Sequence, residues 1–80
     1  MSHTLEEYLN VFCQTFNIDE DTAKTAEFNK IDAWDSVGHM GLICRLEDTF
    51  HIVIMPDDIF DFNSYEKGKE ILAKYNVEFA

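Results

Sequence analysis

Three observations predict an all-α domain. Apolar residues recur at helical spacing in three separate stretches. Residues suited to opening a helix, Thr4, Ser36 and Ser64, stand at the head of those stretches. Only one short β-branched run, Ile52-Val53-Ile54, could form a strand, and nothing else in the chain offers it a pairing edge. The expected architecture is a four-helix bundle of three main helices and one short one, with a long loop after the first. All 80 residues make one domain, since a chain of this length has room for one core.

The first helix is predicted from about Thr4 to Phe16. Leu5, Tyr8, Leu9, Phe12 and Phe16 share a face, while Glu6, Glu7, Asn10 and Gln14 lie on others. Thr4 followed three residues on by Glu7 fits a capping box. Residues 17–35 carry only Phe28 and Ile31 as apolar anchors among Asp, Glu, Thr, Lys and Asn. Asp21 or Thr22 could cap one short turn, and the rest reads as loop held to the core by Phe28 and Ile31.

The second main helix is predicted from Ser36 or Val37 to Phe50. At ~100° per residue its apolar side chains, Val37, Met40, Leu42, Ile43, Cys44, Leu46 and Phe50, cover an arc of roughly 220°. A helix packed on one side needs a stripe of only about 100° or somewhat more. This helix is therefore either covered on most sides or presents surplus apolar surface to a partner or ligand. Gly38 and Gly41 each cost up to about 1 kcal/mol of helix propensity, which close approach of another backbone would offset. Ile52-Val53-Ile54 reads as an extended connection with Ile52 and Ile54 pointing inward. Pro56-Asp57-Asp58-Ile59-Phe60 suits a short helix, with Pro at its first position and acids in its first turn. Ser64 caps the last helix, which runs to about Tyr75 with Tyr65, Gly68, Leu72 and Tyr75 on one face and Ile71 beside it. The expected core is Phe12, Phe16, Phe28, Ile43, Phe50, Ile54, Phe62 and Leu72.

Charge narrows the partners. There are 16 acidic and 6 basic residues, a formal charge of −10. The excess is spread along the chain, with 2 Lys+Arg against 8 Asp+Glu in residues 1–40 and 4 against 8 in residues 41–80. Nucleic acids and anionic membranes need a basic footprint, so neither is expected as a partner. Basic protein surfaces fit better, although solubility alone would also explain the acidity. Cys13 and Cys44 have no metal-ligand spacing and are too few for a disulfide framework. No apolar run reaches the ~20 residues of a membrane span, and no signal-peptide pattern opens the chain, so the cytoplasm is the expected location.

Two catalytic or metal readings fail on spacing. Ser36 next to Asp35, with His39 one turn on, suggests a hydrolase, but a nucleophile elbow needs G-x-S-x-G on a strand-to-helix turn. Here Trp34 occupies the first glycine's place and no sheet is expected. His39 reads as an exposed helix residue near a binding surface. The acids do not form an EF-hand: loops started at Asp19 or Asp61 place Lys30 or Leu72 where the bidentate Glu belongs. No metal site and no enzymatic activity of the chain's own are expected.

What remains is Ser36 where a loop hands over to a helix. Backbone N–H groups there lack intrahelical partners and the dipole is positive, so a phosphate ester on this serine would be well held. The stretch Trp34-Asp35-Ser36-Val37-Gly38-His39-Met40, continued by Leu46-Glu47-Asp48-Thr49-Phe50-His51-Ile52, resembles the acyl carrier protein family. That family has Asp-Ser-Leu ahead of a helix ending in acids, Phe and an Ile-containing segment. Val37 replaces the usual Leu, and the resemblance in element order covers nearly the whole chain.

The resemblance implies a four-helix bundle in which a phosphopantetheinyl transferase attaches 4′-phosphopantetheine to Ser36. Asp35 would serve transferase recognition by helping to position the metal-bound donor. The arm's thiol would carry acyl groups as thioesters, and the chain able to slip between the helices would use the wide apolar arc. Partners would be acyl-loading and acyl-transferring enzymes with basic docking surfaces, acting on a monomer. The partner-facing surface would comprise Val37, Met40 and Cys44 with Glu47, Asp48, Asp57, Asp58 and Asp61 as rim, flanked by Trp34. One departure is instructive: Gly38, His39 and Gly41 stand where carriers of bulk fatty-acid synthesis usually have acids. A specialised lipid, saccharide, polyketide or peptide pathway is the expectation. The competing class is a small acidic interaction module without a prosthetic group.

Overall fold

The computed structural model describes residues 5–77. Among these the regular elements are five helices, α1 (Leu5–Phe16), α2 (Glu20–Lys24), α3 (Ser36–Phe50), α4 (Pro56–Asp61) and α5 (Tyr65–Ala73), besides one isolated antiparallel bridge between Glu27 and Ser64. Thr4 and its capping box, Ser2 and His3 lie outside the described residues. No described helix is long and apolar enough to cross a membrane.

The predicted main helices appear within a residue or two of their expected bounds. The loop after α1 differs from expectation. It contains α2, capped by Asp19, whose side chain accepts from the Thr22 backbone N–H at 2.8 Å. Asp21 and Thr22, the caps expected from sequence, lie inside this helix instead. Asp19 takes the role because its backbone is extended and its carboxylate reaches the N–H three residues on, as N-caps do.

Three helices end alike. Asn17, His51 and Asn76 all adopt left-handed backbone, with φ of 54°, 55° and 64°. In each case the next residue's N–H returns five residues back: Ile18 to Cys13, Ile52 to Glu47 and Val77 to Leu72. These are Schellman endings, which occupy orphan carbonyls and turn an apolar residue back onto the helix. In α5 the closing turns carry the chain past Ala73 through Tyr75, matching the expected reach of that helix.

The core forms around α1, which packs on α3 and α2, and is closed by Tyr65, Ile71 and Leu72 of α5. Phe12, Phe16, Ile43, Phe50, Ile54, Phe62 and Leu72 are buried as expected. Phe28 is only half-buried, because it also lines an open pocket. Trp34, expected beside a binding patch, is fully buried. Its ring stacks on Phe16 at 5.3 Å and meets Phe12 edge-on at 5.4 Å. The loop is thus held chiefly by Trp34, together with hydrogen bonds from the Phe28 N–H to the Asn63 carbonyl and from the Tyr65 N–H to the Ala26 carbonyl. The 52–54 connection runs as predicted, with Ile54 buried, Ile52 half-buried and Val53 exposed.

Two glycines are required by close approach and one is not. A Cβ on Gly38 would sit 2.0 Å from the Ala33 carbonyl oxygen, and one on Gly68 would sit 2.2 Å from both Phe62 and Tyr8. Tyr8 occupies that position because its hydroxyl donates to the Tyr65 carbonyl at 2.7 Å. A Cβ on Gly41 would meet nothing within 4 Å, so the close approach expected there is absent.

α4 is tied to the end of α5 by a buried carboxylate. Asp58 accepts from the Lys74 ammonium and from the Tyr75 hydroxyl. Tyr75 in turn accepts from the Met55 N–H at 2.9 Å. The Lys74 and Tyr75 hydrogen bonds hold Asp58 below its ordinary value, and the Asp58 bond raises Lys74. Tyr75 is raised first by desolvation and then by its bond to Asp58. Asp58 is therefore no part of an exposed acidic rim: its side chain is buried and committed to α5.

Three substitutions test this packing. Gly41→Ala should raise stability by up to about 1 kcal/mol in denaturant melts, since it adds helix propensity into open space. Gly38→Ala should lower it by about 1–3 kcal/mol, since Ala33 must move. A depressed carboxylate stabilises the fold above its unfolded value and loses that contribution as pH falls through its folded value. Asp58→Asn should therefore lower the melting temperature at neutral pH. The difference from wild type should shrink as pH is taken down through and below the ordinary Asp value of 3.8.

Candidate functional site

Ser36 is the first residue of α3 and is exposed. Asp35 is the N-cap, with extended backbone and its Oδ1 accepting from the Gly38 N–H at 2.8 Å. The His39 N–H returns to the Asp35 carbonyl at 2.8 Å. Helix geometry leaves the Ser36 and Val37 N–H groups without intrahelical acceptors, at the positive end of a helix of 15 residues. No acidic residue occupies the first turn of α3. The N-cap carboxylate, Asp35, is held on the Gly38 N–H. An anion bonded to the Ser36 hydroxyl would thus meet two backbone donors.

The wide apolar arc of α3 divides in two. Leu42, Ile43, Leu46 and Phe50 face the core, whereas Val37, Met40 and Cys44 form a separate exposed stripe. Val37 is 81 % exposed and Met40 50 %. The surplus apolar surface expected from sequence is therefore uncovered in the monomer.

A pocket of about 480 Å³ opens beside Ser36. Met40 borders it from α3; Pro56, Ile59 and Phe60 border it from α4; Phe28, Phe62 and Asn63 complete the wall with His39. The volume falls within the range of about 300–1,000 Å³ of small-molecule sites. Phe60, 87 % exposed, belongs to this surface and is absent from the site read from sequence. Its signal was present: Ile59 and Phe60 are adjacent in a short helix, about 100° apart, so both cannot face the same core.

His39 is not the exposed residue expected. It is half-buried, and its Nδ1 accepts from the Trp34 indole N–H at 2.9 Å. Its Nε2 lies 2.7 Å from the Ile59 carbonyl, an arrangement that requires the tautomer with the proton on Nε2. The two rings lie edge to edge along that Trp34 bond, nearly coplanar with centroids 6.1 Å apart, and the imidazole meets Phe28 edge-on at 5.4 Å. With both nitrogens committed, neither is placed to take a proton from Ser36.

The acids separate by environment. Asp48, Asp57 and Asp61 are exposed. Glu47 is half-buried and accepts from the Ile54 N–H at 2.9 Å, so it braces the 52–54 connection. With Asp58 turned to α5, the free rim consists of Asp48, Asp57 and Asp61. Cys13 and Cys44 are free thiols. Among the described residues no group of three or more His, Cys, Asp and Glu side chains could hold a metal ion.

Comparison of the chain with known proteins returns no matching family model, no matching curated protein and no matching solved structure.

Proposed function

We propose that this chain is a free-standing carrier of the acyl-carrier type. It holds acyl intermediates as thioesters on a 4′-phosphopantetheine arm esterified to Ser36, and its helices form the family's bundle with α2 as a short addition in the loop. The observation that carries this reading is an exposed serine opening the longest described helix, beside an apolar pocket. The residues present suit such a group. Ser36 offers its hydroxyl, the Ser36 and Val37 N–H groups and the helix dipole favour a phosphodiester there, and no first-turn acid of α3 opposes it. When attached, the arm supplies a terminal thiol for thioester chemistry. Asp35, whose cap keeps it adjacent to the serine, is the residue for transferase recognition.

Val37, Met40 and Cys44, with Phe60 from α4, form the apolar centre of the enzyme-facing surface. Asp48, Asp57 and Asp61 rim it and steer basic partners. Gly38 is required by Ala33, and His39 by Trp34 and Ile59. Gly41 has no such cause, and the absence of acids from the first turn of α3 favours partners of a specialised pathway over those that read acids there. Val37 and Phe60 are exposed enough to suit a second reading as well, an acidic interaction module without an arm.

The test is intact mass after incubation with a phosphopantetheinyl transferase and coenzyme A. Wild type should gain one arm per chain and Ser36→Ala none. An equal gain in both proteins would place the arm elsewhere. No gain in wild type would leave the interaction module.

A further inference from the structure

We infer that the Trp34–His39 hydrogen bond is a pH-sensitive tie. It forms only while His39 is neutral, and a proton taken up at Nδ1 releases the segment that leads into Ser36. As a statement about regulation of an attachment site this rests on the carrier reading above. As a statement about the tie it does not.

Each partner of the ring has a fixed polarity. An indole N–H only donates, and a carbonyl only accepts. His39 meets one of each: its Nδ1 lies 2.9 Å from the Trp34 indole nitrogen and its Nε2 lies 2.7 Å from the Ile59 carbonyl oxygen. The one proton of the neutral ring is therefore on Nε2, and Nδ1 offers its lone pair to the indole. A second proton, taken from water, has only that lone pair to bind. It would set two N–H groups against each other across the same 2.9 Å. The bond to Ile59 survives, since Nε2 still donates and now does so from a cation. Protonation thus leaves His39 on α4 and breaks its link to the loop alone.

Trp34 has nowhere else to place its donor. The ring is fully buried, stacked on Phe16 and edge-on to Phe12, and among the described residues its N–H has no second acceptor. A buried donor left without a partner costs more than the bond it lost, so the indole is driven to shift. The Trp34 backbone closes the loop through Ile31 and Asn29, and Asp35 and Ser36 follow it directly. A displaced indole therefore loosens the residues that place the N-terminus of α3.

The proton has a route. His39 is half-buried and lines the pocket that opens beside Ser36. The rings that meet it, Trp34, Phe28 and Phe62, carry no charge. Charged groups do stand on the elements packed around it. In the loop these are Glu27, Lys30, Asp32 and Asp35, the last held on the Gly38 N–H. On α4 they are Asp57 and Asp61, which are exposed, and Asp58, which is bonded to Lys74 and Tyr75. Along α3 itself the nearest are Arg45 and Glu47, and Glu47 is bonded to the Ile54 N–H. None of them bonds to the imidazole, whose nitrogens have the two partners above. Imidazoles ordinarily titrate over about pH 5–8, where carboxylates stay ionised, which leaves His39 as the titrating group at the tie. The tie is present at the upper end of that range and is lost as pH falls through it.

The experiment follows both rings by NMR in the full chain. Trp34 is the single tryptophan, so its indole N–H gives one signal. As pH is lowered from about 8 to about 5, the His39 ring should pass from the Nε2–H tautomer to the cation and the indole signal should move in step. Solvent exchange of the indole proton should rise by about five- to tenfold over that in His39→Gln at the same pH, the ratio that loss of one hydrogen bond represents. The Gln side chain can donate to Ile59 and accept from Trp34 but does not titrate, so its indole signal should stay in place. A merely structural role would weaken the variant equally at every pH and give wild type no step. Should His39→Gln fail to fold, Trp34→Phe carries the comparison: with no N–H opposing the proton, the His39 ring should charge at a higher pH than in wild type. The inference is overturned if His39 charges while the indole signal and its exchange stay fixed, or if His39→Gln moves as wild type does. A ring that stays neutral down to about pH 5, or that charges at the same pH in Trp34→Phe, overturns it equally. For the site, arm transfer to Ser36 is compared between wild type and His39→Gln at each pH, which cancels the transferase's own pH dependence. The ratio of wild type to variant should fall with pH. Absence of transfer to wild type refutes the carrier reading and leaves the NMR test standing, whereas transfer at a constant ratio overturns regulation of the site.

Discussion

The placement of Trp34 underlies the rest of the structure. The long segment between α1 and α3 holds few large apolar residues, with α2, Ala26 and two backbone bonds to residues 63–65 tying down its first part. One indole, two residues ahead of Ser36, fixes its end. It sits between Phe12 and Phe16 of α1 and bonds to His39 of α3. Its own backbone is closed locally, with its N–H on Ile31 and its carbonyl accepting from Asn29. Asp35 and Ser36 follow with little room to wander, so the position of an exposed serine is set by a buried neighbour.

Much of this was legible in the sequence, and the reasons are particular. The main helices announce themselves through strong periodicity, and Ser64 sits where its side chain reaches the N–H three residues on; Asp35 caps α3 in the same way, a role not read from the sequence. The exposed stripe on α3 was legible as one of two alternatives, because an arc wider than one contact is either covered on most sides or left open. α2 was not, because its five residues carry a single buried side chain, Ala23, too little to make a period. The environment of Trp34 was not legible either. An aromatic in a polar loop can anchor that loop or lie open as a binding surface, and only the course of the chain distinguishes the two. The Schellman endings carried a signal of their own: Asn-Ile, His-Ile and Asn-Val each follow a helical stretch, pairing a residue tolerant of left-handed backbone with an apolar one.

The acids show how a charge count conceals different duties. Asp19 and Asp35 cap helices, Glu47 accepts from a backbone N–H in the 52–54 connection, and Asp58 fastens α4 to α5. A formal charge of −10 spread evenly along the sequence gave no indication of this division. Each of these carboxylates has a hydrogen-bond donor that compensates its presence near the fold, whereas Asp48, Asp57 and Asp61 are exposed to solvent.

α4 has a consequence of its own. Pro56, Asp57, Phe60 and Asp61 are exposed, and this helix of six residues begins without a side-chain cap. Its polar attachments are Asp58 to the end of α5, His39 to the Ile59 carbonyl and the Met55–Tyr75 bond, and its apolar ones are the half-buried Ile59 and the buried Phe62 at its C-cap. Elements held by few buried apolar groups open at a free energy below that of global unfolding. Amide exchange in α4 should then follow a sub-global route, with protection well below that of α1 and α3. The domain would be a cooperative unit of long helices carrying one short segment with a separate opening equilibrium, governed by hydrogen bonds more than by core burial.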